Sequence, residues 1–202
     1  MDEAALIQLL RTSPEAKRML ERDFDFRVAP IGAKSALFQL RDGTAYELVG
    51  TDASGGEFAL CDKRELPTRP LLYASSEGQA GILARALNIG LAIIIDLPYW
   101  HDCLKFSGNG QLAEMRRVVP LAENDLQADN PQVISTRKNL QRHLGIPLVQ
   151  DSIQELYSAI TELSPSYPAC GPSGWPFAPL FGKFAATTDC FVRLRRSVDR
   201  TL

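Results

Sequence analysis

Histidine is scarce in this chain: only His101 and His143 occur among 202 residues. Two imidazoles so far apart leave little for a histidine-rich metal centre or a proton relay. Cysteine is nearly as sparse. Cys61, Cys103, Cys170 and Cys190 include no CxxC pair, which excludes the common zinc and thiol-redox motifs. Cys61 and Cys103 sit in apolar contexts, where cysteine acts as a small hydrophobe, so reduced thiols are expected rather than a disulfide framework. The net charge of −2 supplies no basic field for nucleic acid. The apolar run Leu91–Leu97 is far too short to span a bilayer. The opening segment MDEAALIQLL is acidic and has no basic n-region, so no signal peptide is expected and a cytoplasmic location follows. The Gly55-Gly56 pair lacks the GxxxxGK[ST] spacing of a phosphate loop, and no cofactor is expected.

What remains is an ordinary globular composition, 45% hydrophobic and 23% charged. The length fits one domain, or one domain with an extension. Its most informative stretch is Tyr46–Asp62, YELVGTDASGGEFALCD. Two alternating segments flank a polar connection rich in glycine, which predicts an antiparallel hairpin. Tyr46, Leu48, Phe58 and Leu60 are expected on one face, with Glu47 and Glu57 on the other and Asp52 at the tip.

Helix signals precede the hairpin. Asp2 is placed to cap a helix through about Arg11, and Ser13-Pro14 starts a second through about Arg22. A strand over Ser35–Arg41 and an Asp42-Gly43 turn lead into the hairpin. A charged loop, Lys63–Pro70, and a short apolar strand, Pro70–Ala74, follow it. From Ser75 or Ser76, apolar residues recur at three- and four-residue steps to Leu97, which predicts a long buried helix stopped by Pro98. Tyr99–Phe106 reads as a further helical turn or two with Trp100, Cys103, Leu104 and Phe106 inward. Beyond Gly110 the chain is expected to be mostly helical. One helix opens at Asn130-Pro131 and ends at Gly145, another starts at Asp151 or Ser152, and Phe184–Leu202 forms a last one. Between these, Ser164–Pro179 is expected to be an irregular loop that shelters Trp175, Phe177 and Phe181.

Catalytic patterns are weak. His101-Asp102-Cys103 suggests a cysteine nucleophile, but neighbours on a helix point in different directions and cannot form a triad by themselves. Tyr73–Gly78 (YASSEG) follows a strand, yet it lacks the glycines of GxSxG, and helix capping explains its serines. Asp52-x-Ser54 lacks the acidic density of a calcium loop. Arg193, Arg195, Arg196 and Arg200 read as a solvated helix face.

The element Gly50-Thr51-Asp52-x-x-Gly55-Gly56-Glu57-Phe58-x-Leu60, after two helices and before a strand and an apolar helix, resembles the SUKH superfamily. Its members are small bacterial immunity proteins and relatives of a fungal cell-wall-synthesis regulator. The resemblance covers roughly residues 1–107. It implies a meander strand ending in a Gly-x-Asp-x-x-Gly turn, an aromatic residue on the next strand and a closing helix on the sheet. It also implies a non-enzymatic protein that binds and neutralises a cognate toxin. The expected fold is therefore α+β: an antiparallel meander packed by helices over 1–110, with a mostly helical extension over 111–202. The expected partner is a protein, with no nucleic acid or membrane. Glu47, Asp52, Glu57, Arg64 and Arg69 are the expected contact residues, because an acidic rim suits a basic toxin. Two alternatives remain at this point: a hydrolase using Ser76 or Cys103, and a scaffolding subunit docking through Ser164–Phe184.

Overall fold

The computed structural model describes residues 1–62 and 68–186. Its opening follows the capping signals. The Asp2 carboxylate accepts from the Ala5 amide at the start of α1 (Glu3–Thr12), and the Ser13 hydroxyl accepts from the Ala16 amide at the start of α2 (Pro14–Phe24). Asp25 ends α2 in the left-handed region, with φ of 48°. This corner turns the chain into a five-stranded antiparallel sheet. Its strands run in the order β1 (Arg27–Val28), β3 (Ala45–Thr51), β4 (Glu57–Asp62), β5 (Leu71–Ala74) and β6 (Ala80–Ala84). The fold is α+β, with the meander as its centre.

Strand β2 (Gln39–Leu40) belongs elsewhere. It pairs with β7 (Ala169–Cys170) in a small second sheet, so the expected Ser35–Arg41 strand shortens to two residues. The helices after the main sheet are α3 (Leu87–Asp96), α4 (Trp100–Lys105), α5 (Leu112–Asp129), α6 (Val133–Leu144) and α7 (Ser152–Ser158). A π-helical turn, Ala159–Leu163, continues α7. Helix α6 ends at a left-handed Gly145, and Asp151 caps α7 through the Gln154 amide.

Two expectations are corrected here. The long helix from Ser75 or Ser76 does not form. Ser75 instead donates its amide to the Gln79 carbonyl at 2.8 Å, closing a hairpin turn with Gly78 at φ +82°, and residues 80–84 pair with β5. The helix begins only at Leu87. The second correction concerns the hairpin faces. Register pairs Tyr46 with Cys61 and Leu48 with Ala59, whereas Glu47 pairs with Leu60 and, beyond a bulge at Val49, Gly50 pairs with Phe58. Phe58 and Leu60 thus face away from Tyr46 and Leu48.

Both faces of the sheet are buried. One packs Phe58, Leu60, Tyr73 and Leu83 against α1, α2 and α3, in a core that continues through Trp100, Met115, Leu140 and Leu156. This core draws on residues from both sides of position 110. The other face packs Leu48, Ala59, Leu72 and Ile82 beneath Phe38, Leu40, Tyr167 and Ala169. The edge strand β6 is covered too: the Ile82 amide donates to Ser164 Oγ at 2.8 Å, and the Ala80 amide to the Ala178 carbonyl at 2.9 Å.

The Ser164–Pro179 stretch is irregular except for a 3-10 turn, Ser164–Ser166, and β7, but it does not shelter Trp175, which is 76% exposed. Phe184–Ala186, expected to begin a helix, forms an extended segment bridged to Ser107. The remainder of that expected helix, including Phe191, Arg193, Arg195, Arg196 and Arg200, lies outside the described residues, as does Cys190.

Candidate functional site

The β3–β4 turn is organised by one carboxylate. Asp52 Oδ1 accepts from the Ser54 amide (2.9 Å), the Ser54 hydroxyl (2.8 Å) and the Gly56 amide (2.7 Å). Its Oδ2 accepts from the Tyr73 hydroxyl at 2.6 Å. The side chain is fully buried, at 0% exposure. Burial alone would push this carboxyl up, but the bonds from Tyr73, Ser54 and Gly56, with His101 nearby, outweigh it and hold the group below the usual aspartate range. Gly55 takes φ +86°, and a Cβ at Gly56 would collide with the Tyr73 hydroxyl and the Asp52 carboxylate. The Gly-x-Asp-x-x-Gly spacing is therefore the spacing of a turn closed around a buried anion.

Two other loops meet this turn. From the α2 corner, Asp25 Oδ1 accepts the Ala53 amide at 2.8 Å. From the β5–β6 turn, the Ser76 hydroxyl donates to the Ser54 carbonyl at 2.9 Å. Helix α4 completes the end of the sheet. The His101 ring stacks on Trp100 with centroids 3.5 Å apart, and its Nε2 lies 3.7 Å from Asp52 Oδ2. Packing lowers the proton affinity of this imidazole below that of an ordinary histidine, against the pull of Asp52 and Asp25.

A strap closes the far side. The Gly182 amide donates to the Leu104 carbonyl, the Asn109 amide to the Gly182 carbonyl, and the Gly108 amide to the Phe184 carbonyl, at 2.9, 2.8 and 2.7 Å. Only glycine fits at position 182, where a Cβ would overlap the Lys105 carbonyl. Farther along, the Ala186 amide donates to the Glu114 carboxylate at 3.0 Å. Between the strap, α4 and the three loops lies a groove of about 690 Å³. Asp25, Glu77 and His101 line it, as do Lys105, Phe181 and Lys183.

Ser76 and Tyr73, which line the groove, each donate a hydroxyl hydrogen bond to the β3–β4 turn. Tyr73 is raised far above the usual tyrosine range by burial and by Asp52. Cys103 is fully buried, and burial pushes its thiol well above the usual range, the opposite of an activated nucleophile. Among the described residues no group of three or more His, Cys, Asp or Glu side chains is arranged to hold a metal, and no helix is long and apolar enough to cross a membrane.

The expected contact residues do not form one acidic rim. Asp52 is inside the turn. Glu47 and Glu57 stand on opposite sides of the sheet, because the bulge at Val49 and the observed register separate them. Glu47 is half-buried between Arg11 (2.8 Å) and Arg69 (2.9 Å), and Arg69 also holds Glu3 at 2.6 Å. Burial raises the Glu47 carboxyl, but Arg69 and Arg11 lower it further than burial raises it. One Glu57 carboxylate oxygen is sealed from solvent without a hydrogen-bond partner among the described residues. Arg64 lies outside the described residues. Sequence reasoning does not bring Asp25 or His101 to the hairpin tip, where the fold places both. The signal for Asp25 was the Asp after an apolar helix face, a left-handed cap position; nothing local marks the strap. No protein family, curated protein or solved structure matches the chain.

Proposed function

We propose that the chain is a non-enzymatic protein-binding module of SUKH-like immunity type, acting in the cytoplasm on a cognate toxin, and that its contact face is the groove end of the sheet. One observation carries this reading. Of the residues that bear the resemblance, Asp52, Gly55 and Gly56 shape the β3–β4 turn, Gly50 and Phe58 pair at its base, and Ser54 of that turn lines the groove. Three loop tips from different strand connections converge there and present exposed charge around a recess, as a recognition surface does. The buried Asp52 and Tyr73, with the exposed Ser76, fix the shape, and the rim supplies specificity.

The test is co-expression with the product of the neighbouring open reading frame. The reading expects that product to arrest growth, the chain to restore it, and the two to co-purify as a stable complex. Failure to restore growth or to form a complex would overturn it, as would turnover of the toxin by the chain.

A further inference from the structure

We infer that the groove receives an extended segment of the protein partner and holds an arginine of that segment at its acidic end, stacked on His101. This deepens the reading of the chain as a protein binder and rests on it. The first support is an imbalance of charge. Three other sheltered carboxylates are matched by guanidinium groups: Glu47 by Arg11 and Arg69, Glu123 by Arg137, Glu114 by Arg117. Asp52 is matched only by neutral donors and by the His101 imidazole 3.7 Å away. Asp25 and Glu77 add two exposed carboxylates at the same end, and neither forms an ion pair among the described residues. An incoming cation would meet Asp25 and Glu77 at the surface, with the Asp52 charge buried behind the turn.

The second support is shape. His101 has one face on Trp100 and is still 44% exposed, so a planar surface opens to the groove. A guanidinium both stacks on such a surface and offers forked donors to carboxylates; an ammonium does only the second. The third is polarity along the recess. Lys105 and Lys183 line the same recess, poised over the Phe106 and Phe184 rings at 5.8 and 5.7 Å. They favour an acidic residue or the carbonyl end of the bound segment. At about 690 Å³ the recess falls within the usual range of ligand pockets and exceeds what one side chain fills.

The probe is the blocked tripeptide acetyl-Gly-Arg-Gly-amide, titrated into the full chain while the His101 ring and Trp100 indole resonances are followed by NMR. The control peptide carries citrulline, which keeps the shape and removes the charge. The inference expects saturable shifts with the arginine peptide, weakened about tenfold or more with citrulline. It expects the same loss in the D25N/E77Q chain, whose folding is protected because D25N keeps an oxygen for the Ala53 amide. Equal binding of the two peptides, a site unaffected by D25N/E77Q, a lysine peptide binding as well as arginine, or no saturable shift would each overturn it. The growth assay separates the two claims. Rescue without peptide binding removes the arginine site and leaves the protein-binding reading, whereas peptide binding without rescue does the reverse.

Discussion

The Tyr73 hydroxyl donates to Asp52 Oδ2 at 2.6 Å, tying β5, the fourth strand of the sheet, to the turn between β3 and β4. This bond joins a core residue to the residue that shapes the groove wall. A buried carboxylate that loses a donor keeps its full desolvation cost. Tyr73→Phe should therefore destabilise the chain by about 1.5–3 kcal/mol in urea unfolding, the range for a bond to a charged group. A double-mutant cycle with Asp52→Asn should show strong coupling. Additive effects would mean that the two side chains do not act together.

The strap should depend on the glycine at its closest approach. Gly182→Ala places a Cβ against the Lys105 carbonyl, and backbone cannot yield as a side chain can. A cost of about 1–3 kcal/mol is expected for such overpacking. Hydrogen exchange should also accelerate at the Asn109 and Gly182 amides, which bond across this contact. Unchanged exchange there would place the strain elsewhere.

Acid should act in two separate windows. His101 has its folded pKa below its unfolded value, so it contributes stability at neutral pH that is lost as pH falls below about 6.5. Asp52, Glu47 and Glu123 also have depressed folded values, but as carboxylates they contribute stability that is present above about pH 4 and lost below it. His101→Phe keeps an aromatic ring on Trp100 and should flatten the stability profile between pH 7 and 5 while leaving the acid limb intact. A variant with the wild-type slope between pH 7 and 5 would assign that slope to another group.

Cys103 should resist alkylation in the native chain and react once the chain is unfolded. It is fully buried and its thiol is held in the protonated form. Peptide mapping after a short exposure to iodoacetamide resolves Cys103 from the other cysteines. Rapid native labelling would revive the cysteine-nucleophile reading.

Local signals were legible wherever one residue type does one local job. Asp2 and Ser13 as caps, Pro14 in a first turn, Gly145 at a helix end and the paired segments around Asp52 all appear where the sequence places them. The misreading of 75–86 has a physical cause. A strand covered on both faces shows no alternation, and Gly81-Ile82-Leu83-Ala84 places Ile82 in one core and Leu83 in the other. The face error in the hairpin also has a physical source: sequence fixes alternation within a strand but not the register between strands, which here sets Leu48 opposite Ala59. Helix α5 was not resolved as an element, since Pro120 interrupts its pattern while its stripe of Met115, Val118 and Ala122 still reaches the core. The groove was invisible because Asp25, Asp52, Glu77 and Lys183 come from four separate connections and His101 from helix α4.

The most direct measurement is hydrogen exchange of the chain alone and in complex with its neighbour-encoded partner. Protection is predicted at 52–56, 75–79, 100–109 and 180–184, the four stretches that enclose the recess. Protection confined to α6 or to the β2–β7 side, with those four stretches unchanged, would contradict the assignment of the binding face.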